Sequence, residues 1–583
     1  MGLLTTALQI GRSSLLSYQA ALQVTGNNMA NAGNPDYTRQ TPILEAIPGV
    51  PINLGIQPGA GIAISNIKRN LDVQLETRFR SAIADQEQAT VEQRALGRIE
   101  SMLNELTDTD LSTYLGEFFN SFAQLQINPK DLTLRDVVLI NANALTAAIR
   151  RQRSDIDSLV EELNNQLKSF ASDATKLSEN IARLNVEIVT TEAQTQTVAS
   201  PLRDQRDAAM RELSRLIEVH AVEQPNGSLS VYIGSEPVVE YGDARGLTTT
   251  EEIVNGVRLV TVRFEDNQSK IALNGGAITG TVNARDQHVI QQRTELDQLV
   301  TGLIEEVNKL HAWGQGVGAE LVPGERTFFT NLTGTYNVLD ANAALNTPAA
   351  GLDLVPQNGS FLIALHNADG TTRQTQINVD LDGIGADITL TQLAAALNAV
   401  AGITASVTPD NRLNVQATAA KTSFTFSDDT SNVLAALGVN TFFDGTDAAD
   451  ISLNALLSAN PEHLAATLNR DVDGFPLPGD GKNAERIALS GQSAVASLGG
   501  KSIMDFYKTM VSRVAVSGSS ARAAFEAADV IVGSLTAQRE SISGVSLDEE
   551  AINLLKFERA FQGSARYVQT VDRLIAEMLS LVR

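Results

Sequence analysis

Apolar residues recur every seven positions along the last part of the chain. They fall on one side of a helix predicted over residues 545–582, at Leu547, Leu554, Phe561, Val568, Ile575 and Val582. A heptad repeat of this kind forms a continuous apolar stripe, and such a stripe needs a packing partner. Gly563 is the one helix-weakening residue in this segment, and it costs only about 1 kcal/mol relative to alanine.

The first helix, predicted over residues 1–30, carries a matching stripe. Its members are also seven residues apart and comprise Met1, Leu8, Leu15, Leu22 and Met29. Two such stripes at opposite ends of one chain predict that the ends pair and bury the rest of their apolar surface against neighbouring copies. The alternative is that each is an ordinary core helix. In a free chain we expect both ends to be largely disordered, because isolated helices are marginally stable in water.

The longest helix is predicted over residues 132–193, with a coiled-coil stripe of its own. That stripe comprises Ile156, Leu163, Phe170, Leu177 and Leu184. Further helices are predicted over 71–106, 111–126, 202–218, 281–313, 391–400, 461–469 and 503–540. The pattern therefore predicts a multidomain fold that is mainly α with β elements, in which the terminal helices pair as a coiled-coil rod.

Shorter stretches with alternating or β-branched residues predict strands. They lie at 229–233, 238–239 and 257–264, in a possible hairpin within 41–66, and in two hairpins at 361–379 and 403–416. Charged residues become sparse between about 325 and 450. We predict three domains: a terminal helical core (1–45 with 541–583), a helical bundle with a β segment (46–324 with 451–540), and an inserted β-rich outer domain (325–450).

Composition excludes several classes of function. The chain has 68 acidic and 44 basic residues, and its net charge of −24 disfavours nucleic acid and anionic membranes as partners. It has no cysteine, which excludes disulfides, thiol catalysis and cysteine-ligated zinc. We see no apolar run as long as a membrane span and no basic segment typical of a cleaved signal peptide.

The search for chemistry finds no catalytic pattern. The five histidines are not spaced to share a metal, and no nucleophile-elbow motif occurs. Residues 378–383 resemble the start of a calcium loop, but Thr389 stands where such a loop has a bidentate glutamate. We therefore expect no enzymatic activity, no cofactor and no metal site.

A polar segment follows the first helix. It offers three asparagines, Asn27, Asn28 and Asn31, and then Tyr37 and Arg39 as contact-forming side chains. The functional interpretation is an assembly surface. The alternative is a capped helix end followed by a polar loop.

These residues carry a resemblance to a known family. The runs 22–31 and 37–40 resemble the N-terminal motif of bacterial flagellar rod, hook and hook-associated proteins, and 544–567 resembles their C-terminal motif. Internal runs at 204–207, 275–286, 307–311 and 442–445 are similar to the hook–filament junction members of that family. One departure is Asp36, where a glycine usually precedes the tyrosine, so we expect a different local turn.

The resemblance implies a structural adaptor at the hook–filament junction, assembled through terminal helices that stack into a tubular core. The implied location is the extracellular flagellum, reached through type III export. The implied partners are copies of the chain, the hook protein, a second junction protein leading to the flagellin filament, and an export chaperone at the C-terminal helix. The self-assembly residues that we predict are Leu8, Leu15, Leu22, Asn27, Asn28, Asn31, Tyr37, Arg39, Leu554, Phe561, Val568 and Ile575.

Two other functions remain open at this point. The first is the hook protein or another axial protein that polymerises without limit, which long tubes formed by the chain alone would favour. The second is an extracellular enzyme or adhesin with its activity in residues 325–450. A ligand or a convergent pair of acids in that insert would favour it.

Overall fold

A computed structural model describes residues 2–49, 59–103, 110–322, 325–367, 369–471 and 473–581. Its α-helices are α1 (Gly2–Ala30), α2 (Val73–Leu103), α3 (Leu111–Leu125), α4 (Leu132–Thr195), α5 (Ser200–Leu216), α6 (Gly276–Asn283), α7 (Ile290–Trp313), α8 (Leu390–Asn398), α9 (Val433–Ala436), α10 (Ala455–Ala459), α11 (Lys482–Ser490), α12 (Ile503–Ser543) and α13 (Leu547–Leu581). A π-helical segment, Ala284–Val289, joins α6 to α7.

The strands are β1 (Gln40–Ala46), β2 (Ile62–Arg69), β3 (His220–Glu223), β4 (Leu229–Ile233), β5 (Glu236–Glu240), β6 (Asp243–Ala244), β7 (Leu247–Val254), β8 (Val257–Phe264), β9 (Ala319–Val322), β10 (Glu325–Thr327), β11 (Asn331–Thr333), β12 (Gly359–His366), β13 (Thr372–Val379), β14 (Ile403–Val407), β15 (Leu413–Ala417), β16 (Ser423–Ser427), β17 (Phe443–Asp444) and β18 (Ser452–Leu453). The described sheets are small, with two to four strands each. The fold is therefore mainly α with β, as the sequence predicts.

The chain forms two compact units, and the first contains both chain ends. It comprises Met1–Ala95, Glu161–Arg285 and Ser519–Arg583. In its core, α4 packs against α5 and the strands β4, β5 and β8. Two buried asparagines on α4 hold those strands. Asn164 donates to the Arg258 carbonyl over 2.8 Å, and Asn185 donates to the Leu229 carbonyl over 2.8 Å.

The second unit comprises Leu96–Val160 and Asp286–Gly518. Most of its apolar core comes from residues between Leu332 and Val439. Two three-stranded sheets contribute to this core, in the orders β13-β12-β16 and β11-β15-β14. Thr389 and Gln392 form a capping box at the start of α8, which fixes that helix against β14. The predicted three-domain division differs from these two units and stays a prediction.

Residues of two internal motifs, 307–311 and 442–445, form hydrogen bonds that hold segments of the second unit together. Asn308 on α7 accepts the backbone N–H groups of Phe442 and Phe443 over 3.0 and 2.8 Å. One turn later, His311 bonds the Asn440 carbonyl through Nδ1 over 2.7 Å and accepts the Ala465 N–H at Nε2 over 2.9 Å. Burial lowers the pKa of His311 to about 4, so the ring is neutral, with its proton on Nδ1.

Most predicted elements are present, and one is wrong. The predicted helix at 111–126 is present as α3, and Asp110 caps it by accepting the Thr113 N–H over 2.6 Å. Residues 461–469 are not a helix beyond a short 3-10 turn at Pro461–His463. The backbone of this segment bonds to a distant part of the chain instead, because Thr467 exchanges both of its backbone hydrogen bonds with Gln315. The helix α11 was not predicted.

The helix α4 also passes a simple test for membrane spans. Within the described ranges it alone is long and apolar enough by length and composition, over an 18-residue window of mean hydropathy 1.3. The sequence reading found no such run. The core helix of a soluble protein meets the same criterion, so this observation is weak evidence for a membrane span.

Candidate functional site

The two terminal helices lie against each other. The helix α1 packs along α13, and the two helices lie so near each other at Gly11 that an added methyl group would overlap Val568 Cγ2. Among the predicted stripe residues with described side chains, Leu547 is exposed, whereas the others are partly buried: Leu8, Leu15, Leu22, Met29, Leu554, Phe561, Val568 and Ile575. Met1 and Val582 lie outside the described residues. The predicted pairing of the chain ends is therefore present, and the role of these residues in assembly stays a prediction.

The helix α13 keeps apolar side chains on the surface that α1 leaves uncovered. Ile552 is 66 % exposed and Leu555 is 56 % exposed. Other exposed apolar residues on the two helices are Leu16, Leu547, Tyr567, Leu574, Met578 and Leu579. Ile552 and Leu555 lie off the heptad stripe, so the sequence reading missed them. The signal that could have found them is an apolar residue among charged neighbours on the opposite face.

Asn28 and Glu550 form a buried polar pair between the two ends of the chain. Asn28 is 1 % exposed and Glu550 is 2 % exposed. The Asn28 amide donates to Glu550 Oε2 over 3.0 Å and to the Gln40 carbonyl over 2.8 Å. Its oxygen accepts the Gln40 N–H over 3.1 Å. Asn28 thus connects the end of α1, the start of β1 and the first turn of α13.

The other residues of the polar segment support Asn28. Tyr37 donates its hydroxyl to Asn28 Oδ1 over 2.7 Å and accepts the Asn27 amide over 3.2 Å. Asn31 donates to the Asn27 carbonyl over 2.9 Å. Burial, followed by the charge of Asp204, raises the pKa of Tyr37 to about 12, so the hydroxyl is a donor at neutral pH. These side chains bond within the chain, and their contact with a neighbouring copy stays a prediction.

Arg39 ties the segment to α13 by charge. Its guanidinium contacts Glu549 over 2.7 Å and Glu550 over 2.7 Å. Burial lowers the pKa of Arg39, but the hydrogen bonds to Glu550 and Glu549 outweigh it, so the pKa is raised and the group stays charged. The Arg39 N–H also donates to the Ser543 carbonyl over 2.9 Å, at the end of α12.

A second ionic cluster holds the same segment to α5. Arg69 on β2 contacts Asp204 over 2.6 Å and Asp207 over 2.5 Å. Thr38 donates its backbone N–H to Asp204 over 3.4 Å. Burial raises the pKa of Asp204 against the opposing charge of Arg69. This cluster gives a physical role to the internal motif at residues 204–207.

A third cluster surrounds the residue that departs from the family pattern. Asp36 pairs with Arg211 over 2.6 Å, and Arg211 also pairs with the buried Glu76 over 2.8 Å. Asp36 is not among the residues with positive φ, and its N–H donates to Asn34 Oδ1 over 3.1 Å. An aspartate here therefore needs no strained backbone, and its carboxylate contributes an ion pair that glycine could not form.

The three clusters together fix residues 31–40 and the base of the helix pair. Buried ion pairs of this kind are weak evidence for stability, but removing one partner is costly because it leaves an unpaired buried charge. The arrangement sets the orientation of α1 and α13, which is a positioning role.

One further acidic group was partly foreseen as a calcium-like loop. The carboxylate oxygens of Asp380, Asp382 and Asp387 lie within 4.8 Å of one another. Asp387 accepts the Gly383 N–H over 2.9 Å and the Asn346 amide over 3.1 Å. Two of the three acids are exposed, and exposed acids often cluster without an ion. The expectations of no metal site, no cofactor and no enzymatic activity stay predictions.

Two family models match the chain. Residues 96–328 match the helical domain of the flagellar hook-associated protein FlgK. Residues 537–581 match the C-terminal domain of the flagellar basal body rod FlgEFG proteins. The second match covers all of α13, the helix that pairs with α1.

Curated relatives match along the whole chain, and a solved structure shares the fold. The chain is 24 % identical to flagellar hook-associated protein 1 of Escherichia coli strain K12, over 98 % of each chain. The protein of that name from Bacillus subtilis strain 168 is 23 % identical, over 98 % of this chain and 97 % of its own. The flagellar hook junction protein FlgK from Burkholderia pseudomallei aligns with a TM-score of 0.52 and 16 % identity, over 80 % of this chain and 100 % of that one. Together, these matches support a FlgK-type protein, similar to flagellar hook-associated proteins along nearly its whole length.

Proposed function

We propose that the chain is a structural adaptor at the hook–filament junction of the bacterial flagellum. It would assemble there through the α1–α13 pair, while the rest of the chain projects from the axial core. The relatives named hook-associated protein 1 and the FlgK junction protein support this location, because they match along most or all of the chain.

One observation carries the proposal. Side chains such as Ile552 and Leu555 stay exposed on α13 although α1 already covers the other side of the helix. Each fully buried aliphatic side chain is worth about 1.5–3 kcal/mol, so leaving this surface in water is unfavourable. Neighbouring copies or partner proteins would remove it from water on assembly.

The finer expectations concern partners and delivery. The proposed partners are other copies of the chain, the hook protein on one side, and a second junction protein leading to the filament on the other. We further propose that an export chaperone covers the C-terminal helix before assembly, since α13 carries most of the exposed apolar surface of the pair. The proposed location is outside the cell, after type III export.

The proposal can be tested by complementing a strain that lacks its own copy of the gene. The variants Ile552→Asp and Leu555→Asp place a charge on the exposed side of α13 without touching the α1–α13 contact. We expect both to be exported, to be absent from isolated hooks, and to appear in the culture medium. Immunodetection in the two fractions and a motility assay measure these outcomes.

A matched control uses the same substitution at another exposed isoleucine. Ile253 is exposed at the tip of the β7–β8 hairpin, away from the terminal helices. Ile253→Asp should assemble normally. Normal incorporation of Ile552→Asp and Leu555→Asp would show that this surface of α13 is not the assembly surface.

A further inference from the structure

The second unit contains a cavity that the assembly function does not use. It has a volume of about 130 Å³ and lies between α7, α9 and the loops at 336–337, 351–354 and 445–446. Its floor is apolar and buried, with Ile304, Ala435 and Ala436. One water needs roughly 10–15 Å³ of such space, and an apolar cavity of about 150 Å³ can bind benzene. The cavity is therefore large enough for a ligand of about six heavy atoms.

The rim of the cavity is polar and acidic. Glu305 and Asp353 are the two carboxylates that line it, and no lining residue is basic. Glu305 forms an ion pair with Lys309 one turn along α7, with the two groups 3.8 Å apart. Asp353 is exposed at the mouth. An apolar floor beneath two carboxylates favours a ligand with a short hydrocarbon part and a positive charge.

Tyr336 adds an aromatic wall that is fixed in place. Its hydroxyl donates to the Gly445 carbonyl over 2.9 Å, so the ring cannot swing away without losing this bond. Burial, followed by the charges of Asp444, Asp450 and Asp353, raises the pKa of Tyr336. Those three carboxylates show that the surroundings of the ring are negative as well. An aromatic face next to acids is a favourable setting for an ammonium group.

We propose that this cavity binds a short alkylammonium group. The hydrocarbon part would lie on the apolar floor of the cavity, and the ammonium between Glu305 and Asp353. The group could belong to a free diamine or to a lysine side chain of a polypeptide, which share this chemistry. The site is independent of the α1–α13 pair, so its failure would leave the proposed assembly function unaffected.

Titration of the full-length chain with n-butylammonium chloride tests the proposal. Isothermal titration calorimetry should show saturable binding, and n-butanol, which lacks the charge, should bind at least about tenfold more weakly. Glu305→Gln combined with Asp353→Asn should weaken butylammonium binding by about tenfold or more. Equal binding of the alcohol and the amine, or no saturable binding of the amine, would overturn the proposal.

A matched control separates the cavity from general attraction to an acidic protein. Asp380→Asn combined with Asp382→Asn removes the same amount of charge from another acidic group in this unit. It should leave butylammonium binding unchanged, and an equal loss in both double variants would overturn the site. Trp313, the only tryptophan, lies in the same unit, and its fluorescence reports that the variants are folded. Titration with putrescine and with Nα-acetyl-lysine methylamide then distinguishes the two ligand sources. Tighter binding of putrescine favours a free diamine, and tighter binding of the lysine derivative favours a lysine side chain.

Discussion

The helices α4 and α13 have the same kind of sequence but different surroundings. Both carry apolar residues at heptad spacing. On α4 most of that surface is buried, with Phe170 and Leu177 partly buried against the core formed with α5 and the β segments. Ile181, which lies beside the stripe on α4, is 0 % exposed in the same core. On α13 the stripe is only partly buried against α1, and Ile552 is 66 % exposed.

The difference shows what a heptad pattern does and does not predict. It predicts which residues line one side of a helix, because the geometry of the helix is local. It does not predict what covers that side. On α4 the cover comes from strands held by Asn164 and Asn185, whereas on α13 it comes mainly from α1 at the other end of the chain. A helix that one helix of its own chain covers mainly on one side is suited to contacts with other chains.

The largest expected effect comes from removing the same side chain in the two environments. Ile181→Ala should lower the free energy of unfolding of the first unit by about 3 kcal/mol, because it leaves a cavity in a closed core. Ile552→Ala should change it by less than about 0.5 kcal/mol, because that side chain is already in water. Urea unfolding followed by circular dichroism measures both. A similar loss in the two variants would mean that α13 is covered in the free chain.

An intermediate effect is expected at the base of the helix pair, where two neighbouring glutamates differ in burial. Glu550→Gln should weaken the attachment of α13 by about 2 kcal/mol, because buried Asn28 and Arg39 lose a charged partner. Glu549→Gln, at an exposed position, should cost less than about 1 kcal/mol. Amide hydrogen exchange along α1 and α13 measures the loss. Equal protection in the two variants would contradict the role of Glu550.

Local patterns predicted much of the fold. The hairpin β14–β15 was found because Asp410-Asn411 favours a tight turn, and Asn411 indeed has a φ of +57°. The segment 461–469 was wrongly predicted as a helix because its backbone is bonded to distant residues, Gln315 and His311. The short helix α11 was missed for a related reason. Its buried Asn483 bonds the carbonyls of Leu310 and Ala465, which no local pattern reveals.

The motif in the sequence located the candidate site, but it did not show which residues bond to one another there. Asn28, Tyr37 and Arg39 are close in sequence, and the structure brings all three together. Asn28 and Arg39 share the partner Glu550, which is 522 residues from Asn28, and no spacing rule connects the two. The sequence reading noted Glu550 only as part of a C-terminal motif. Burial decides its role, and burial depends on tertiary packing.

The smallest expected effects come from two glycines on the terminal helices, which test how closely the pair is packed. A methyl group on Gly11 would overlap Val568, whereas nothing lies within 4 Å of the position that a methyl group on Gly563 would occupy. Gly11→Ala should therefore destabilise the pair by about 1–2 kcal/mol, because α1 must move away from α13. Gly563→Ala should stabilise α13 by about 1 kcal/mol, since alanine is the better helix former. Hydrogen exchange of the two helices measures both changes. Stabilisation by both substitutions would show that α1 and α13 are not in close contact in the free chain, and that the pair closes only on assembly.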